Sequence, residues 1–152
     1  MSDIYLLSPN DWLPLLGRLG AALIAGAMIG IEREIKDKPA GLRTYMLVSF
    51  GSALFTLIPI LLGAAEQSAD ALSRVIQGIA AGVGFVGGGV ILRQSQSPSD
   101  GVRVRGLTSA AAIWVSAALG VAAGGGLWQL SLVAAGLTLV VLRIVKKLES
   151  YL

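Results

Sequence analysis

The 152-residue sequence contains no cysteine and no histidine. Their absence excludes disulfides, thiol nucleophiles, Ser-His and Cys-His catalytic pairs and most zinc sites. Charge is also scarce. Asp, Glu, Lys and Arg make up 14% of the chain, against about a quarter in an ordinary soluble domain. Apolar types make up 55%, and the mean hydropathy is +0.76. So little polar surface cannot coat a globule, so the chain reads as an integral membrane protein. Met1–Asp11 carries Asp3 and Asp11 and no Lys or Arg, unlike the basic start of a signal peptide.

What the sequence has in abundance is apolar runs. Five of them, at about 12–31, 42–63, 75–92, 107–123 and 127–145, approach the ~20 residues a helix needs to cross the hydrocarbon core. None contains an acidic residue. The expected fold is all-α: one transmembrane domain over residues 1–152, a bundle of five helices. Gly124-Gly125-Gly126 predicts a tight hairpin between the last two, and Pro59 should kink the second helix or end it early. Ten basic residues fall on one side of the membrane in this arrangement: Arg33, Lys36, Lys38, Arg43, Arg93, Arg103, Arg105, Arg143, Lys146 and Lys147. Arg74 and Arg18 belong to the other side. The positive-inside rule then places the N-terminus outside and the C-terminus in the cytoplasm. It also accounts for a pI near 9.6. The expected partner is the lipid bilayer, not nucleic acid.

Apolar burial cannot hold helices together in lipid, whereas close approach across small residues can. Ala22, Gly26 and Gly30 form such a stripe on the first helix, and Ser116 and Gly120 on the fourth. The third carries Gly78, Gly82, Gly84 and Gly87. These residues are expected to pack the bundle, with some faces free for a homodimer. Gly82–Gly87 matches the G-x-G-x-x-G spelling of a dinucleotide site. That motif needs a strand before it and a helix opening after it, and this one lies in mid-membrane sequence, so no cofactor is expected.

Between the first two runs lies a dense knot of charge: Glu32, Arg33, Glu34, Lys36, Asp37, Lys38 and Arg43. Glutamates at a helix C-terminus and an arginine at a helix N-terminus both oppose the helix dipoles. The two mismatches cancel if Glu32 or Glu34 faces Arg43 across the Pro39-Ala40-Gly41 turn, with Arg93, Arg103 and Arg105 as alternative partners. Glu32, Arg33, Glu34, Arg43, Arg93 and Arg105 are therefore the candidate functional cluster. Arg18 is the second oddity, an arginine six residues into an apolar run. At the bilayer centre it would cost about 2.5–3.5 kcal/mol. It continues the Ala22–Gly26–Gly30 stripe, which turns it towards protein. Its possible partners are lipid phosphate, Glu66 or Asp70, and helix-end carbonyls.

Several blocks in order resemble the MgtC/SapB family of bacterial inner-membrane proteins. They are Arg18-Leu-Gly-Ala-Ala, Gly30-Ile-Glu-Arg-Glu34, Pro39-Ala-Gly-Leu-Arg-Thr44, Leu47-Val-Ser-Phe-Gly51, Gly82-Val-Gly-Phe-Val-Gly-Gly-Gly-Val90 and the run from Arg105 to Gly120. Ser109 stands where the family usually has threonine, and Gly88 where it often has alanine. Many relatives continue into a cytoplasmic ACT-like domain, so this sequence resembles the membrane domain alone or a short member. The resemblance implies a multi-pass inner-membrane location and a link to growth at low magnesium and, in pathogens, to survival in the host.

Three classes of function compete. An enzyme is disfavoured by the missing His and Cys and by the lack of a carboxylate pair in an apolar pocket. A Mg²⁺ path should offer oxygen ligands, usually carboxylates, and the five runs supply none. The basic rim suits an anionic headgroup or solute better. The favoured expectation is a regulator acting through another inner-membrane protein, and the alternative is a transporter or channel for an anionic or small solute.

Overall fold

The computed structural model describes residues 11–95 and 106–145. Arg103, Arg105, Lys146 and Lys147 lie outside these, as do the side chains of Glu66 and Arg93. Every described element is helical: α1 (Trp12–Ile35), α2 (Leu42–Leu61), the four-residue α3 (Ala64–Gln67), α4 (Ala69–Ser95), α5 (Leu107–Gly124) and α6 (Trp128–Val140). A π-helical turn, Val141–Val145, extends α6. The apolar runs dictate this outcome, because in hydrocarbon a helix satisfies every backbone N–H and C=O within its own segment. Four helices are long and apolar enough to cross a membrane, and Trp128–Ile144 is shorter. The chain is a helical membrane bundle.

The ends differ from the sequence expectation in three places. α1 runs to Ile35, a full turn beyond the apolar boundary at Ile31. α4 starts at Ala69, six residues before its apolar run. Pro59 sits inside α2, which stops two residues later at Leu61. Gly63 then turns the chain with φ of 69°, and Gly126 does the same between α5 and α6 with φ of 89°. Both are left-handed conformations that glycine adopts without penalty.

The centre of the bundle is α1, α2 and α5. A Cβ added at Gly26 would meet the Tyr45 carbonyl oxygen at 2.7 Å, and one at Gly30 would meet the Leu42 Cα at 2.8 Å. From the other side, a Cβ at Gly120 would fall on the Ser49 carbonyl, and one at Gly124 would lie 2.6 Å from the Ala53 carbonyl oxygen. These are backbone-to-backbone contacts, the geometry small residues permit in membranes. Hydroxyls stitch them together. Ser49 Oγ donates to the Ala22 carbonyl at 2.7 Å and Ser116 Oγ to the Tyr45 carbonyl at 2.9 Å. α6 packs against α1 and α5, with Ser131 Oγ donating to the Leu119 carbonyl at 2.9 Å.

α4 is the exception. It leans on α5, where a Cβ at Gly87 would approach the Ala110 Cβ at 3.3 Å, and it touches α2 less closely. Only 11% of its most apolar stretch is buried, against 39%, 44% and 50% in α1, α2 and α5. Gly78, Gly82 and Gly84 therefore correct the expectation that α4's glycines all pack the bundle. A Cβ at any of them would meet nothing within 4 Å.

Candidate functional site

The extra turn of α1 decides where the charged knot goes. Glu32 and Glu34 are two residues apart, so a helix points them about 200° apart. Glu32 faces inward and is 2% exposed; its neighbour Arg33 is 4% exposed. Glu34 faces outward. The two glutamates thus do different work.

Glu32 lies between two cations. Its Oε2 is 3.6 Å from Arg33 Nη1, and its Oε1 is 2.5 Å from Lys36 Nζ, one turn further along. Neither oxygen receives a well-directed hydrogen bond among the described residues, and Arg33 Nε likewise lacks an acceptor. Charge holds the carboxylate in place. The opposing dipole at the end of α1 favours Arg33 and Lys36 and disfavours Glu32, and the two cations outweigh that term.

Arg33 also reaches across the bundle. Its Nη2 donates to Ser109 Oγ at 3.1 Å, in the first turn of α5. The fully buried Tyr45 of α2 donates its hydroxyl to the Ser109 carbonyl at 3.3 Å. Ser109 is therefore the point where α1, α2 and α5 are pinned together at the charged end. Gly106 opens α5 with φ of 90°, and the N-terminal turn of a helix favours negative charge.

Glu34 has another role. Its Oε2 accepts a hydrogen bond from the Leu42 N–H at 2.9 Å, the first residue of α2. A carboxylate at a helix N-terminus satisfies an orphan donor and complements the dipole. Gly41 makes the room, since a Cβ there would collide with this carboxylate. The expected pairing of Glu32 or Glu34 with Arg43 is thereby corrected. Arg43 is exposed and has no ion pair among the described residues. Glu34→Ala is accordingly expected to lower stability by about 1 kcal/mol, with Arg43→Gln nearly neutral and the double variant additive. Equilibrium unfolding in detergent checks this. A Glu34–Arg43 coupling above about 0.5 kcal/mol would count against the cap.

Among the described residues, Arg18 reaches one of its expected partners, a helix-end carbonyl. It is half-buried, and its Nη1 donates to the Gly124 carbonyl at 3.1 Å, at the C-terminus of α5. A cation is favoured there by the helix dipole. Of the other singled-out residues, Ala22, Gly26, Gly30, Ser116 and Gly120 meet at the central contacts and Gly87 meets α5, whereas Gly78, Gly82 and Gly84 stay outside them. Sequence reasoning missed Tyr45 as a buried hydroxyl donor and Lys36 as Glu32's nearest cation. The i,i+4 spacing of Glu32 and Lys36 was a readable signal. Tyr45, a lone tyrosine one residue past Thr44, gave none.

Fold and site define a multi-spanning membrane protein with buried ions at one end of the bundle. The chain belongs to the MgtC family, whose model matches residues 19–151. It is 46% identical over 151 residues to Protein SrpB of Synechococcus elongatus, covering 97% of this chain and 83% of that one. It is 40% identical over 135 residues to the putative magnesium transporter YhiD of Escherichia coli K12, covering 86% and 60%. It is also 40% identical over 121 residues to Protein MgtC of Salmonella typhimurium, covering 80% and 48%. The chain thus spans 60% of YhiD and about half of MgtC. No solved structure matches it.

Proposed function

We propose that this protein is a non-enzymatic regulator in the bacterial inner membrane, acting through another membrane protein and serving growth under magnesium limitation. One observation carries the reading: the ions are concentrated at one end of a bundle whose centre is shut. Beyond Glu32, Arg33 and Ser109, the helices meet backbone to backbone at Gly26, Gly120 and Gly124. The buried hydroxyls between them donate to carbonyls. That centre leaves a solute no route through α1, α2 and α5, while the charged end offers a fixed polar surface at the membrane boundary.

The second reading is a transporter for an anionic or small solute. The name of the YhiD relative, a putative magnesium transporter, makes Mg²⁺ the cargo to test. Purified protein in liposomes separates the readings. The regulator predicts no protein-dependent flux of Mg²⁺ or of phosphate, and saturable flux of either would establish the transporter. The same proposal sets the N-terminus outside and the C-terminus in the cytoplasm. Ser2→Cys and Ser150→Cys in this cysteine-free chain should then label from opposite sides of the membrane.

A further inference from the structure

We propose that the outer face of α4 is an interface between two copies of this chain, paired about a twofold axis normal to the membrane. Asp70, Arg74, Gly78 and Gly82 follow one another at steps of four on one face of α4, and all four are exposed. Exposed glycine weakens a helix, and a Cβ at Gly78 or Gly82 would meet nothing within 4 Å among the described residues. Small residues at this spacing let two membrane helices approach closely. They also border an apolar groove of about 560 Å³ between α4 and α2. Its walls include Leu47, Phe55 and Val86, and its one hydroxyl residue, Ser52, already donates to the Val48 carbonyl. Such a groove suits apolar side chains rather than a polar solute.

Charge identifies the occupant as a second copy. Asp70 and Arg74 have no ion-pair partner among the described residues. Two copies in one membrane share their orientation, so their α4 helices must run parallel. Each Asp70 then comes within reach of the other copy's Arg74, one turn along, and the pairing is made twice. A twofold interface is self-complementary in this way. A lipid tail would need neither the glycines nor the charges, and an unrelated helix would need to supply both opposite charges at the same spacing.

The absence of cysteine makes the test direct. A twofold axis brings the same residue of both copies together, so Gly82→Cys should form a disulfide dimer under mild oxidation in native membranes. Leu137→Cys, exposed on α6, should not. Gly82→Leu should shift the monomer–dimer equilibrium by about tenfold or more towards monomer, without lowering the monomer's melting temperature. Asp70→Arg and Arg74→Asp should each lower the cross-linking yield of Gly82→Cys, and the double exchange should restore it. A Gly82→Cys chain that gives no dimer, cross-links only to a different protein, or cross-links no better than Leu137→Cys overturns the interface. So does a charge exchange that fails to restore the yield.

Discussion

Glu32→Gln is expected to lower the unfolding free energy by about 3 kcal/mol or more, because it leaves a buried Arg33 without its counter-charge. The cost falls on the partner left behind. Arg33 is 4% exposed and cannot swing into water without leaving Ser109. Lys36 can, since its side chain is 31% exposed. Arg33→Met should therefore cost less than Glu32→Gln, because Glu32 keeps Lys36. Combining the two should cost less than their sum by roughly 0.5–3 kcal/mol, the range for groups in direct contact. Equilibrium unfolding of the purified protein in detergent measures all three. Strict additivity would mean that Glu32 and Arg33 do not stabilise one another, and that Lys36 alone sets the carboxylate's state.

Gly120→Ala should be strongly destabilising. Its Cβ would fall on the Ser49 carbonyl, with the Ser49 Cα 2.9 Å away. Overpacking of this kind costs about 1–3 kcal/mol, occasionally more. Here the neighbouring helix cannot retreat freely. Ser49 is bonded to α1 through the Ala22 carbonyl, and Ser116 and Arg33 tie α5 to α2 and α1. Withdrawing α5 would break such bonds at about 0.6 kcal/mol each in a membrane. Gly120→Leu is expected to abolish folding. Gly82→Ala serves as the contrast: its Cβ meets nothing, and replacing glycine by alanine in a helix gains up to about 1 kcal/mol. Melting temperatures in detergent should therefore move in opposite directions. Equal losses at Gly120 and Gly82 would show that the central contact is looser than described.

The long apolar helices were legible because the hydrocarbon core imposes a length and a composition on any helix that crosses it, whereas the short α3 was not. Stripes of small residues were legible as faces. What covers each face was not. Ala22–Gly26–Gly30 and Gly78–Gly82 share the same spacing, yet the first meets α2 closely and a Cβ on the second would meet nothing within 4 Å among the described residues. Spacing fixes direction around a helix, and only tertiary packing supplies the neighbour. The charged knot was legible as a place rather than a pairing. Hydropathy marks where lipid ends, at Ile31, while the helix itself continues to Ile35. That one turn carries Glu32 inward and Glu34 outward, and it replaces the expected partner Arg43 with Lys36 for one and the Leu42 N–H for the other. Arg18 was read more fully, as a helix-end carbonyl was already among its candidate partners.

The unequal burial of the helices has a consequence for motion. Local opening is governed by how many packed contacts an element must surrender. α1, α2 and α5 share carbonyl-level contacts and crossing hydroxyl bonds, so they must open together or not at all. α4 leans on α5 and grips α2 weakly. The three-helix core is therefore expected to exchange more slowly than α4. Amide protons of α4 would exchange through excursions that leave the Glu32–Arg33–Ser109 junction intact.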